Sequence, residues 1–278
     1  MDSGPIQPSG RYSDLQRPPL RAGDLSRAVQ AGSGRWREVQ ILEQTGSTNA
    51  DLAGDPDLTD GVVLVAEHQS GGRGRLDRTW SSPPRAGLTF SVCIAPAWPR
   101  TSWGWVSLAA GVALAAVAQE EAGLANASVK WPNDLLLGDR KAAGILAEVV
   151  SERLVVVGIG LNVTTTAAEL SSVTATSLRL ENASSIDRGS LLLAFLRRFD
   201  HLLSGSVSEV REQLLQRCST IGSAVSVQLP DSTTIEGNGL DVDHEGRLVV
   251  ETWPSSDLDG NSVTRAFAAG DVRHVRRA

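Results

Sequence analysis

The chain has 278 residues, of which 41% are hydrophobic and 21% charged, with a formal net charge of −6 and a mean hydropathy of −0.09. This composition is typical of a globular protein, and the acidic balance argues against nucleic-acid binding, which usually requires a basic face. The two cysteines, Cys93 and Cys218, fit no metal-binding or redox spacing, so we expect buried thiols in a reducing cytoplasm. Residues 101–119 carry no charge, but alanine dominates them, which favours a core helix over a membrane span.

The chain opens with a segment, residues 1–22, that mixes Pro, Gly, Ser, Arg and Asp without an apolar block. We expect a disordered or loosely attached leader there, without a signal peptide. Apolar periodicity then predicts regular structure over residues 23–221. Helices are predicted at 24–29, 103–121, 191–203 and about 207–217, and strands at 36–42, 61–67, 87–94, 127–131, 134–137, 142–150 and 154–163. Tight turns separate the last four strands, which predicts an antiparallel meander.

The character of the chain changes at about residue 222. Short strands separated by turns are predicted at 225–229, 234–242, 248–252, 263–267 and 271–276. Such a series of short strands predicts a small barrel. We therefore assign residues 23–221 to one domain and residues 222–278 to a second, smaller one.

A basic glycine-rich loop interrupts the acidic chain at residues 71–80, which contain three glycines and three arginines. Glycine lets the backbone approach a ligand closely, and guanidinium groups are shaped for phosphate or carboxylate. The loop therefore suggests an anionic small molecule that it wraps. Taken alone, the segment fits a mobile surface turn equally well.

Five other polar segments stand where strands of a mixed sheet would begin or end. They are residues 47–49 (Ser-Thr-Asn), 67–69 (Glu-His-Gln), 130–134 (Lys-Trp-Pro-Asn-Asp), 140–144 (Arg-Lys-Ala-Ala-Gly) and 158–163 (Gly-Ile-Gly-Leu-Asn-Val). Glycine weakens a strand interior, so Gly158 and Gly160 predict close approach by a ligand or by another backbone. Ser47 or Thr48 would also suit the N-cap of a short helix.

In this order the motifs resemble the catalytic module of biotin protein ligases, and residues 239–272 resemble that family's C-terminal barrel. The resemblance covers about residues 36–278. It implies an α+β fold, in which a mixed β-sheet with helices, like that of class II synthetases and lipoate ligases, precedes an SH3-like barrel. One departure is Asp77, because the family usually has a glycine there.

The resemblance implies a two-step reaction with biotin and ATP as substrates and Mg²⁺ as the metal. Biotin and ATP give biotinyl-5′-AMP, which then acylates a lysine on the biotin carboxyl carrier domain of an acyl-CoA carboxylase. Neither step needs an enzyme nucleophile, so positioning and fixed cations must do the work. The loop at residues 70–79 is expected to be mobile without ligand and to order over the adenylate.

The resemblance also assigns residues. Those assigned to biotin are Ser47, Thr48, Asn49, Gln69, Arg73, Gly74, Arg75 and Lys141; those assigned to ATP are Arg75, Arg78, Trp80, Lys130, Asn133, Asp134, Gly144 and Asn162. Lys141 is expected to bridge the biotin carboxylate and the α-phosphate, and Arg75 to retain the adenylate. Asp134 would hold Mg²⁺, although a plain turn residue is an equally good interpretation. His68, on the opposite face of its strand, is interpreted as structural.

Three other functions compete with this one. A repressor form of the family would need an N-terminal DNA-binding domain, for which the Pro- and Gly-rich start offers no helix–turn–helix pattern, so a ligase that binds no nucleic acid is expected. A lipoate or octanoate ligase shares the fold but lacks the combination of the glycine–arginine loop with residues 130–134. A non-catalytic biotin- or nucleotide-binding module would have no need of Lys141 or Arg75.

Overall fold

The computed structural model describes residues 17–32, 34–75, 78–229, 233–253, 262–268 and 270–275. The helices are α1 (Ala22–Ala31), α2 (Thr48–Ala53), α3 (Trp105–Glu120), α4 (Arg188–Ser204) and α5 (Val207–Leu215), with a 3₁₀ turn at Arg100–Ser102. The strands are β1 (Glu38–Leu42), β2 (Val62–Ala66), β3 (Gly72–Arg73), β4 (Thr79–Trp80), β5 (Gly87–Ile94), β6 (Ala127–Lys130), β7 (Asp134–Leu137), β8 (Arg140–Val149), β9 (Val155–Asn162), β10 (Ala224–Gln228), β11 (Thr234–Val242), β12 (Leu248–Thr252), β13 (Val263–Phe267) and β14 (Asp271–His274).

The larger sheet has seven strands in the order β1-β2-β5-β9-β8-β7-β6. β1 and β2 are parallel, and the other neighbouring strands are antiparallel. The predicted meander is confirmed, since β6 to β9 lie side by side in chain order. The alanine-rich α3 is buried over most of its length and packs against β6, β7, β8, α4 and α5. It is the core helix that its composition predicted, and no described helix is long and apolar enough to cross a membrane.

The smaller sheet is antiparallel, with five strands in the order β13-β12-β11-β10-β14. The α+β class is confirmed, and this sheet is consistent with an SH3-like barrel. Two indole groups from outside this sheet donate to it. Trp105 Nε1, at the start of α3, donates to the His244 carbonyl, and Trp131 Nε1, just after β6, donates to the Gly246 carbonyl, each at 3.0 Å. Both bonds hold the turn between β11 and β12 against α3 and the end of β6.

The end of the expected leader is not loosely attached. Arg17 is buried and donates to Thr164 and to the Glu169 carboxylate, while the Leu20 amide donates to Glu67 Oε1 at 2.6 Å. Arg188 completes the anchor by pairing with Glu67 at 2.5 Å and donating to the Pro18 carbonyl. The leader expectation is thus corrected for residues 17–22, which these polar contacts and the start of α1 order. Residues 1–16 lie outside the described residues.

The glycine–arginine loop contains a short hairpin. β3 pairs with β4 through Gly72 opposite Trp80 and Arg73 opposite Thr79. Gly72 has no room for a side chain, since a Cβ there would overlap the Trp80 carbonyl. The hairpin thus requires a glycine at this position. Asp77, which departs from the family pattern, lies outside the described residues.

Candidate active site

One cavity collects the motifs that the sequence analysis singled out. The space inside it, including open solvent at its mouth, is about 910 Å³. The lining includes every predicted site residue except Asn162: Ser47, Thr48, Asn49, Gln69, Arg73, Gly74, Arg75, Arg78, Trp80, Lys130, Asn133, Asp134, Lys141 and Gly144. The cavity lies where the loop hairpin, α2, the β8–β9 pair and the smaller sheet meet.

Strand β9 forms the floor of the cavity with its two glycines. In the register of β8 and β9, Gly160 lies opposite Gly144, and Gly158 lies opposite Leu146. The Asn49 amide covers Gly158 and the Trp80 ring covers Gly160 so closely that a Cβ at either position would overlap them. The close approach is made by the side chains of two other cavity residues, whereas a ligand or another backbone was expected. Without these glycines, neither side chain could lie on the sheet.

Uncharged polar groups fill the end of the cavity beside α2. Thr48 donates to Gln69 Oε1 through its backbone amide at 2.8 Å and through its hydroxyl at 2.9 Å. The Ser47 hydroxyl accepts from the Ala50 amide as the N-cap of α2, and Ser47 also lines the cavity. Ser47 therefore caps α2 and also faces the cavity, and its contact with biotin stays a prediction. Ser91 belongs to none of the sequence motifs, yet its hydroxyl lies 2.6 Å from that of Thr48. Its one sequence signal is that it is the only serine in the buried strand β5.

Cationic groups occupy the opposite end. Lys141 Nζ lies 2.6 Å from Asp134 Oδ1, and Arg75 Nη1 donates to Asn133 Oδ1 at 3.3 Å. Burial lowers the pKa of Lys130, and the carboxylates of Asp134 and Asp271 oppose that shift. Burial likewise lowers the pKa of Arg75. The site therefore holds partly desolvated positive groups, which bind anions more strongly than solvated ones.

The smaller sheet contributes a carboxylate that was given no role from sequence. Asp271, at the start of β14, lines the cavity and pairs with Arg78 at 2.6 Å. Burial alone would raise the pKa of Asp271, but the hydrogen bond and charge of Arg78 outweigh it and leave that pKa below its usual range. The pair fixes the loop to the C-terminal sheet.

Asn162, the predicted adenine contact, is not brought to the cavity. It is buried at the end of β9 and donates to the Thr176 carbonyl at 3.0 Å. The same segment bonds the backbone of Lys141, which donates to the Thr174 carbonyl and accepts from the Thr176 amide. Asn162 therefore holds the segment at residues 174–176, which hydrogen-bonds the backbone of Lys141.

The acidic side chains near Asp134 indicate how the site could hold Mg²⁺. Among the described residues, no three His, Cys, Asp or Glu side chains converge as a protein-only metal centre. Mg²⁺ in nucleotide sites is commonly held by one or two carboxylates together with substrate phosphates. A single carboxylate beside Lys141 fits that mode of binding, and it does not fit a closed structural site.

Comparison of the chain with known proteins identifies its family. Residues 31–163 match the profile of the biotin/lipoate A/B protein ligase family. The biotin–[acetyl-CoA-carboxylase] ligase of Mycobacterium tuberculosis is 40% identical over 95% of this chain and 98% of the relative. This chain belongs to the biotin protein ligase family.

Other biotin protein ligases support the assignment. The bifunctional ligase/repressor BirA of Bacillus subtilis is 32% identical over 76% of this chain and 68% of its own length. The structure of the Aquifex aeolicus biotin protein ligase in complex with biotin and ATP superposes with a TM-score of 0.71, at 25% identity, over 85% of this chain and 99% of that one. The likeness thus extends to most of the chain.

Proposed function

We propose that this biotin protein ligase joins biotin to a lysine of a biotin-dependent carboxylase, with ATP as the energy source and biotinyl-5′-AMP as the intermediate. The observation that carries the proposal is the polarity of the cavity. Asn49 lies against Gly158 with Thr48 and Gln69 near it, whereas Lys141 lies against Gly144, opposite Gly160, and shares Asp134 with Lys130. Biotin has the same polarity, with a neutral ureido ring at one end and a carboxylate at the other.

In the first step a biotin carboxylate oxygen attacks the α-phosphorus of ATP. The new bond is the acyl–phosphate bond, and the bond to the bridging oxygen of the β-phosphate breaks, which releases pyrophosphate. Both reactants are anions, so the enzyme must neutralise their repulsion and hold them in line. Lys141 and Arg75 are assigned to that work, and Lys130 and Arg78 to the phosphates.

In the second step the neutral amine of the acceptor lysine attacks the acyl carbon. The amide bond forms, the bond between the acyl carbon and the phosphate oxygen breaks, AMP leaves with that electron pair, and the surplus proton passes to solvent. Water competes with the amine for the same carbon, so closure of the loop at residues 70–79 would protect the adenylate.

Mg²⁺ would be held by Asp134 together with phosphate oxygens of ATP. When bound, it would add positive charge at the phosphates and favour departure of pyrophosphate. Lys141 pairs with Asp134 at 2.6 Å, so its ammonium group lies beside the carboxylate that would hold the metal.

The acceptor is inferred from the relative in Mycobacterium tuberculosis, whose name specifies acetyl-CoA carboxylase. We assign the biotin carboxyl carrier domain of such a carboxylase as the partner, because that domain bears the lysine to be modified. ATP–Mg²⁺ and the purified acceptor domain are incubated with this protein and either biotin or lipoate, and the acceptor is weighed by mass spectrometry. A gain of one biotinyl group, dependent on ATP, is expected. Transfer of lipoate instead would replace the proposal with a lipoate ligase, and no transfer would contradict it.

A further inference from the structure

The hydrogen-bond network at the neutral end of the cavity has a fixed direction. The Asn49 side-chain amide is buried, and its two N–H groups donate to the Leu146 carbonyl at 3.2 Å and to Glu148 Oε2 at 2.7 Å. A carbonyl and a carboxylate can only accept, so the amide cannot be reversed. Its oxygen, Oδ1, is therefore held as an acceptor over Gly158 on the cavity floor.

The side-chain network at this end has fewer hydroxyl hydrogens than oxygen–oxygen contacts. Its three side-chain contacts run from Gln69 Oε1 to the Thr48 hydroxyl at 2.9 Å, on to the Ser91 hydroxyl at 2.6 Å, and from there to Asn49 Oδ1 at 2.6 Å. Both ends are acceptors, because Gln69 Oε1 also receives the Thr48 backbone N–H. Two hydroxyl hydrogens serve three contacts. The network is one hydrogen short. A ligand N–H that donated to Asn49 Oδ1 would free the Ser91 hydroxyl to donate to Thr48, and the Thr48 hydroxyl would still donate to Gln69 Oε1.

Glu148 also reaches the loop. Arg73 Nη2, in the loop hairpin, lies 3.2 Å from both oxygens of the Glu148 carboxylate. The carboxylate is about one-third exposed and Arg73 about half exposed, so this pair alone contributes little to stability. The pair matters for position, because the Glu148 carboxylate that orients the Asn49 amide also contacts Arg73 of the loop hairpin.

We propose that Glu148 is a positioning residue that makes the neutral end of the cavity selective for an N–H donor and ties the loop to that end. The inference rests on the proposed function, which supplies the donor as a ureido N–H of biotin. Nothing in the sequence motifs singled out Glu148. Its role follows from the acceptor-only chemistry of a carboxylate, which a glutamine of the same size lacks.

The matched variants are Glu148→Gln, Glu148→Asp and the control Glu152→Gln, an exposed glutamate in the turn after β8. Glu148→Gln can donate to Asn49 Oδ1, which releases the amide to turn. We expect the dissociation constant and the KM for biotin to rise about tenfold, equivalent to about 1.4 kcal/mol, with kcat and the KM for ATP little changed. Glu152→Gln should match the wild type in all of these.

Cyclic carbamate analogues of biotin, in which oxygen replaces one or the other ureido N–H, test the direction of the network. The wild type and Glu148→Asp should bind biotin more tightly than at least one carbamate by about tenfold, and Glu148→Gln should show little preference. Each preference is a ratio within one variant, so a partly unfolded fraction cancels. An unchanged preference in Glu148→Gln, or its loss in Glu148→Asp, would overturn the inference. A wild type that binds no biotin would instead contradict the proposed function.

Discussion

Lys141 and Asp134 form the central pair of the site, with Nζ and Oδ1 at 2.6 Å. The lysine is the second residue of β8, just after the turn at Gly138 and Asp139, and the register between β7 and β8 shifts beside it. Sequence could indicate Lys141, because its spacing to Gly144 is local. It could not indicate Ser91, Glu148 or Asp271 as partners, since each acts through contacts with residues more than 40 positions away.

Replacing Lys141 by alanine removes the ammonium group that is proposed to neutralise the reacting anions. We expect biotin-dependent exchange of pyrophosphate into ATP to fall by about 10²–10³-fold, while the thermal unfolding temperature stays near that of the wild type. Arg140→Ala is the control, because the exposed Arg140 pairs with Glu181 and does not line the cavity. An exchange rate in Lys141→Ala like that of the control would remove Lys141 from the reaction.

The loop hairpin is the element that sequence described least completely. Its composition predicted an anion-binding loop, yet a ladder of two residues per strand is too short for a periodic signal. The longer strands were predictable because Val, Ile and Leu recur along them. Their order was not fully predictable, since β1-β2-β5-β9 joins strands far apart in the chain. The glycines of β9 were predicted to permit close approach, but not that Asn49 and Trp80 make it.

Trypsin tests whether this loop closes over the ligand, because Arg73, Arg75 and Arg78 are each cleavage sites and each is at least partly accessible. We expect cleavage within residues 70–79 in the free protein and much slower cleavage with biotin and ATP together, since the arginines would then contact the adenylate. Peptide masses identify the sites, and cleavage elsewhere in the chain is the internal control. Equal rates at the loop in both states would exclude closure.

At the scale of the whole molecule, the two sheets act together because they share the site. The indole bonds of Trp105 and Trp131 hold the β11–β12 turn, and the Arg78–Asp271 pair reaches from the loop to β14. Sequence predicted a separate small C-terminal unit from its short strands. It could not predict how that unit docks, because docking depends on indole and carboxylate contacts between distant segments.

Asp271 gives this contact a pH dependence. Its pKa in the folded protein lies below the ordinary value of 3.8, so its contribution to stability is present above that value and is lost as the pH falls through the folded pKa. We expect the free energy of unfolding by urea to fall less for Asp271→Asn than for the wild type between about pH 6 and about pH 3. The exposed Asp57→Asn serves as control and should follow the wild type. Parallel curves for Asp271→Asn and the wild type would show that the pair does not stabilise the fold.

The proposed function requires that the shared cavity bind biotinyl-5′-AMP. A crystal structure of the protein with that compound would show where the compound binds. The account predicts the ureido ring beside Thr48 and Asn49, and the acyl–phosphate linkage within hydrogen-bond reach of Lys141 and Arg75. An adenylate bound elsewhere, with neither Lys141 nor the loop in contact, would contradict it.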